Sequence, residues 1–385
     1  MPTTRLVALI AGAALAGGGG AAIAASVGGA SAPPPEPLAQ ALHGALAAPA
    51  VQGVTARISF TNHLVDASSL PEGDPILSGA TGRLWADADG RLRLELQSER
   101  GDAQVLLDGR TLSVYDPGSS TVYRLELPAT SSSSGPRSGV PSVARIQRAL
   151  SRLMGVAAVS GADPGTVAGR PAYTVSVAPK HDGGLLGHAE LAWDAAQGVP
   201  LRIAVYATDD SSPVLELKAT DISFGPVPAS DLAVQPPPGT RVVRLTTPAA
   251  GGGGDGSASG SPGPTGVAAV AAAVPFPLAA PTTLVGLPRH DVRLVRSGGA
   301  RAALVTYGRG LGGIAVIERA APAAGGGGAP DLGAGLPSIS IDGASGRELA
   351  TALGTALQFT RAGVQYTVLG SVPPMAAEAA ARALP

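Results

Sequence analysis

The sequence predicts a mainly β protein with an α+β tail: a long antiparallel β region followed by a small mixed unit. Three observations carry this. Many short runs of alternating apolar and polar residues lie between Val54 and Arg244, punctuated by Gly, Pro, Asp and Ser. Only two stretches between Leu38 and Arg244 have helical spacing. A second, shorter series of strand-like runs then ends in a helix. The 385 residues suit two or three domains, and 45% hydrophobic content suffices for at least one sizeable core.

At the amino terminus, Arg5 is followed by a stretch from Leu6 to Pro35 that carries no charge. Residues 1–32 therefore read as a signal peptide or amino-terminal membrane anchor. Leu6 to Ala16 has the length of a signal-peptide core, and Ala30-Ser31-Ala32 offers a small-x-small cleavage pattern, although Pro33 directly after it is unfavourable. Uncleaved, Leu6 to Ala30 is long enough to form a transmembrane helix across ~30 Å of hydrocarbon. The expected location is the outer face of the cytoplasmic membrane, anchored or secreted, with membrane contact through this segment.

After a Pro-rich spacer, Leu38, Leu42 and Leu46 make one face of a short helix ending before Pro49. About eleven strands are predicted next: 54–61, 81–87, 91–97, 103–107, 111–115, 121–127, 171–178, 187–194, 201–207, 214–224 and 241–245. Alternation is clearest where Leu92, Leu94 and Leu96 share one side and Arg91, Arg93 and Glu95 the other. Tyr173, Val175 and Val177 repeat the phase, as do Leu201, Ile203 and Val205. A second helix is expected over 142–154, with Val143, Ile146, Leu150 and Leu153 inward and Arg145, Arg148 and Arg152 elsewhere.

Such a sheet exposes more apolar area than two short helices can cover. It must therefore curl over a cavity or close as a barrel or sandwich with a filled core, and composition by itself favours the filled interior. The candidate lining of an apolar cavity is Leu92, Leu94, Leu96, Leu112, Val114, Tyr173, Val175, Val177, Trp193, Leu201, Ile203 and Val205. Trp85 and Trp193 sit in similar hairpin contexts in a chain with only 3% aromatic residues.

These runs form a first domain over 38–245. Residues 246–282, rich in Gly, Ser, Pro and Ala, read as a linker. In the second domain, 283–385, strands are expected at 291–296, 301–307, 313–318, 338–341, 355–360 and 364–369. A helix follows at 375–384, with Pro373 and Pro374 at its start.

The absence of cysteine excludes disulfides, thiol catalysis and a lipid-modified amino-terminal Cys. A net charge of −1 gives neither nucleic acid nor anionic lipid a general electrostatic attraction. Gly308 to Gly313 matches G-x-G-x-x-G, but the strand run at 314–317 follows it where a dinucleotide site needs a helix, so the segment reads as a hairpin. His43, His63, His181, His188 and His290 show no metal-ligand spacing. Asp87 and Asp89 with Gly90 read as a turn. No nucleophile, base and oxyanion donor can be assembled, so neither an enzyme nor a cofactor nor a metal is expected.

The first domain carries a succession of short motifs: Gly169-Arg170-Pro171-Ala172-Tyr173, Trp193-Asp194, Gly198-Val199-Pro200-Leu201-Arg202, Phe224 and Pro237-Pro238-Gly239. In this order they resemble the LolA/RseB-like superfamily in an actinobacterial-type exported form. The superfamily comprises outer-membrane lipoprotein carriers, lipid-binding lipoproteins and RseB-type sigma-E regulators. The resemblance implies a curved, incomplete antiparallel β-barrel of about eleven strands wrapped over helices, with an apolar cavity for acyl chains. Gly363-Val364-Gln365-Tyr366-Thr367-Val368-Leu369-Gly370 is similar to the end of the small domain of RseB-type sensors. The expected function is thus a lipoprotein-sorting or lipid-carrier-like protein that holds the acyl chains of a lipid or lipoprotein. A sensor binding an anti-sigma factor or other membrane protein is the alternative, and a structural envelope interaction protein a third.

Overall fold

The computed structural model describes residues 31–65, 79–99, 101–118, 120–127, 141–180, 184–233, 238–245, 263–297, 300–321 and 336–385. The hydrophobic stretch of the expected export segment lies outside these residues. Among the described residues no helix is long and apolar enough to cross a membrane.

The expected architecture is the one observed. Helix α1 (Leu38–Ala47) precedes a run of strands: β1 (Gly53–Asn62), β2 (Ala80–Asp87), β3 (Leu92–Ser98), β4 (Gly101–Asp108), β5 (Thr111–Asp116) and β6 (Thr121–Glu126). After helix α2 (Val143–Leu153) come β7 (Ala157–Val159), β8 (Asp163–Val167), β9 (Arg170–Pro179), β10 (Leu186–Asp194), β11 (Pro200–Ala207), β12 (Pro213–Phe224) and β13 (Arg241–Leu245). They form one open, curled, thirteen-stranded sheet, in the order β13-β6-β5-β4-β3-β2-β1-β12-β11-β10-β9-β7, with β8 also on β9. Pairing is antiparallel except between β13 and β6. Register shifts in β1–β12, β10–β11 and β11–β12 bend the strands, as bulges do.

All eleven expected strands form, and two were missed. β7 has only three residues. In β8, Pro164 and Gly165 mask the pattern; they are tolerated because β8 pairs only with β9, at the sheet edge.

The second unit is an eight-stranded sheet. Its strands are β14 (Thr283–Leu284), β15 (Leu287–Ser297), β16 (Ala300–Tyr307), β17 (Ile314–Ala320), β18 (Ser338–Ile341), β19 (Ala344–Thr351), β20 (Gly354–Arg361) and β21 (Val364–Gly370), in the order β14-β15-β16-β17-β21-β20-β19-β18. β19 escaped the sequence reading because Ala, Ser and Gly dominate its start. At Gly346 a Cβ would stand 3.0 Å from the Gln358 carbonyl oxygen, so the small residue serves close strand approach. Gly308 and Gly310 take left-handed φ angles in the β16–β17 turn, which makes the G-x-G-x-x-G run a hairpin.

One expected boundary moves. Residues 263–282, read as the second half of a linker, contribute α3 (Val267–Ala271) and bury Val270, Val274, Phe276 and Ala279 in the core of the second sheet. The Ala/Val/Pro composition that suggested a stiff linker is that of a strap lying on a hydrophobic surface. Helix α4 (Pro374–Arg382) covers the same core with Ala377, Ala380 and Ala381, followed by Leu384.

Candidate apolar binding face

Register places the side chains of the first sheet on two faces, since directly opposed residues project to the same side. One row runs Val175, Leu191, Ile203, Leu217, Phe60, Ala80 across six strands. A second runs Ile222, Ala56, Leu84, Leu94, Val105, Val114, Tyr123. Between them lie Ala219, Ile58, Gly82, Leu96 and Ala103, and beyond the second row lie Phe224, Val54, Ala86, Leu92, Leu107, Leu112 and Leu125. The result is one continuous apolar surface, mostly aliphatic.

All twelve candidate lining residues project from this face. Leu96, Tyr173, Val175, Trp193 and Leu201 are buried, whereas Leu92, Leu94, Leu112, Val114, Val177, Ile203 and Val205 are only partly so. The sequence reading missed the small residues between them. Ala56, Ala80, Gly82, Ala103 and Ala219 floor the middle of the face, and at Gly82 a Cβ would stand 1.8 Å from the Glu95 carbonyl oxygen. Their signal was the alternation itself, in which Ala and Gly hold apolar positions without adding bulk.

Among the described residues, helical cover is confined to one side. Leu38, Ala41, Leu42 and Ala45 of α1 and Leu150 of α2 pack with Tyr173, Val175, Leu191 and Trp193. The amino-terminal spacer straps this corner: the Tyr173 hydroxyl donates to the Pro34 carbonyl at 2.6 Å, and Glu36 bridges to Ala162. Burial, then Glu36, push the Tyr173 hydroxyl above its ordinary pKa. The Trp193 indole is 3% exposed, and its Nε1 has no hydrogen-bond acceptor among the described residues. The neighbouring cluster of Ala56, Ile58, Leu96, Ala103 and Ala219 contains no helix residue among those described.

The opposite face is polar. Arg202 donates to Glu190 and Glu216, each at 2.5 Å, and to the Tyr206 hydroxyl, while His188 stacks on Tyr206 at 4.2 Å. Burial would raise Glu190, but hydrogen bonds from Arg202 and Tyr206 outweigh it and hold the carboxyl below the usual range. Trp85 belongs to this outer face, opposite Thr55 and Arg93, with the Arg93 guanidinium 5.3 Å from the ring centre. The two tryptophans share a local sequence context but serve opposite surfaces.

The other sequence candidates are structural. Asp87 Oδ1 accepts the Asp89 and Arg91 N–H groups at 3.0 and 2.9 Å, so this pair is a turn. Among the described residues no group of three His, Cys, Asp or Glu side chains is placed to hold a metal. His181 and Asp182 lie outside the described residues.

The two units touch at the β9–β10 hairpin and at the segment just after β1. The Leu185 N–H donates to the Ser371 carbonyl and hydroxyl oxygens at 2.9 and 3.0 Å, and the Ala352 N–H to the Leu64 carbonyl at 2.8 Å. Gly184, at φ +59°, lies so close that a Cβ would stand 1.9 Å from the Ser371 carbonyl oxygen.

No family model matches this chain, and no curated protein does. Among solved structures, the MucA/MucB complex of Pseudomonas aeruginosa aligns at 18% identity and a TM-score of 0.40, covering 90% of this chain and 95% of that one. A LolA superfamily protein from Nitrosomonas europaea aligns at 10% identity and 0.22, covering 52% and 98%. A putative outer membrane lipoprotein-sorting protein domain from Vibrio parahaemolyticus aligns at 11% and 0.17, covering 47% and 88%. At these values the case for function rests on the residues of this chain.

Proposed function

We propose that the protein is an extracytoplasmic binding protein, not an enzyme, which holds the acyl chains of a lipid or lipoprotein against the aliphatic face of its first sheet. One observation carries the reading: the helices pack at β9 and β10, while the leucine and valine rows of β3 to β5 remain part-exposed on the same continuous face. An alkyl chain of about 12 methylenes, at about 0.8 kcal/mol each, gains enough from burial there to bind without a polar contact. Export and membrane attachment through residues 1–32 are part of this proposal.

Native mass spectrometry of protein purified from its own host tests it. The expected species carries a lipid adduct, and the apo protein takes up a fluorescent fatty acid. A bare mass with no uptake contradicts the reading.

A second reading, a sensor that binds an anti-sigma factor or another membrane partner, draws on the hydrogen bonds between the units, Leu185 N–H to Ser371 and Ala352 N–H to Leu64. They link the β9–β10 hairpin and the segment after β1 in the lipid-facing sheet to a separate core. Deletion of residues 263–385 separates the two: a carrier keeps its lipid, whereas a sensor loses its partner in a pull-down.

A further inference from the structure

Helix α2 turns its apolar side, Ile146 and Leu150, to the protein and contains no acidic residue. Arg145, Arg148 and Arg152 are exposed and spaced i, i+3, i+7, which sets them in one stripe within about 60° of arc. Lys180, also exposed, donates to the Met154 carbonyl at the end of the helix and adds a fourth cation. None of the four forms an ion pair among the described residues, in a protein whose net charge is −1. Directly after the helix, Met154 and Val156 are 39% and 65% exposed.

Unpaired cations beside protruding apolar side chains complement an anionic bilayer, which draws the charges to its headgroups and accepts the methyl groups below them. We propose that α2, with Lys180, Met154 and Val156, is a docking surface for an anionic phospholipid membrane. An acidic protein is the other occupant that would satisfy the arginines, and it is an outcome of the test below. The proposal rests on α2 and its flank alone and does not depend on an acyl chain in the sheet.

The absence of cysteine allows a site-specific test in the full chain. Met154→Cys, labelled with an environment-sensitive fluorophore, is mixed with vesicles of phosphatidylglycerol and phosphatidylcholine in equal parts, or of phosphatidylcholine alone. A label at Met375→Cys, in the second unit and 81% exposed, is the control. The expected result is a blue shift at position 154 with the anionic vesicles only, reversed by high salt, and none at position 375.

Adding Arg145→Gln, Arg148→Gln and Arg152→Gln weakens vesicle partition on the order of a hundredfold, whereas the triple Lys replacement retains it. All three positions are exposed, so the variants fold, and fatty-acid uptake by the sheet is unchanged. No shift at 154, an equal shift with neutral vesicles, or an undiminished shift in the triple Gln variant overturns the proposal. So does a shift produced by an acidic protein but not by lipid.

Discussion

In the eight-stranded sheet, Val305, Val316, Leu357 and Val368 are fully buried beneath α4 and the strap of residues 263–282. In the thirteen-stranded sheet, side chains of the same chemistry, Leu92, Leu94, Leu112 and Val114, stay part-exposed on a face whose helices sit to one side. Both sheets are built from the same Val, Leu and Ala alternation. What differs, among the described residues, is the cover: the smaller sheet has a strap and a helix to close it, and the larger one has two helices at one corner.

The largest expected effect breaks this contrast directly. Val316→Glu buries an unpaired charge in the sealed core and unfolds the second unit, at a cost of more than about 4 kcal/mol. Val114→Glu, on the part-exposed face, costs less than about 1.5 kcal/mol and leaves the fold intact, but abolishes fatty-acid uptake. Calorimetry with a binding titration reads both, and equal destabilisation by the two changes would erase the distinction.

Next comes Glu318, which has no exposed surface and sits under the strap. Its Oε2 accepts the Ala279 N–H at 2.8 Å, while Oε1 has no partner among the described residues. Burial pushes the carboxyl up to about 7, despite the Ala279 hydrogen bond; burial, helped by the Glu318 charge, raises the Tyr307 hydroxyl to about 12. The folded form therefore holds a proton that the unfolded chain has already released above about pH 4.5. Stability from this group is fully present below that value and falls as pH rises to about 7, by on the order of 3 kcal/mol. Glu318→Gln keeps an acceptor for Ala279, removes that slope and raises the melting temperature at pH 8; a slope unchanged in the Gln variant contradicts this.

A smaller effect is expected at the contact between the units. Gly184→Ala introduces a Cβ that meets the Ser371 carbonyl, so the Leu185 and Ala352 amides lose about 2 kcal/mol of exchange protection while each core is unchanged. Hydrogen exchange resolved by residue checks it. Smallest of all, Trp193→Phe removes a donor that has no acceptor among the described residues and alters stability by less than about 1 kcal/mol.

Much of this was legible in the sequence, because the period-2 pattern depends on neighbouring residues alone. The Leu92-Leu94-Leu96 phase gave both strand and face. The strap of 263–282 was not legible: Val270 and Phe276 have no periodicity, and only the distant β15 to β17 surface makes them core. β8 was hidden because its Pro and Gly are acceptable only at an edge, which topology decides. The faces of Trp85 and Trp193 follow from pairing register, which their similar local sequences do not encode.

Photo-cross-linking with a fatty acid that carries a diazirine along its chain interrogates the open face itself. Adducts are expected on β3 to β5, at Leu94, Val105 and Val114, with none on the second unit, and competition by unlabelled fatty acid should remove them. Adducts scattered over both units, or none at all, would contradict the account.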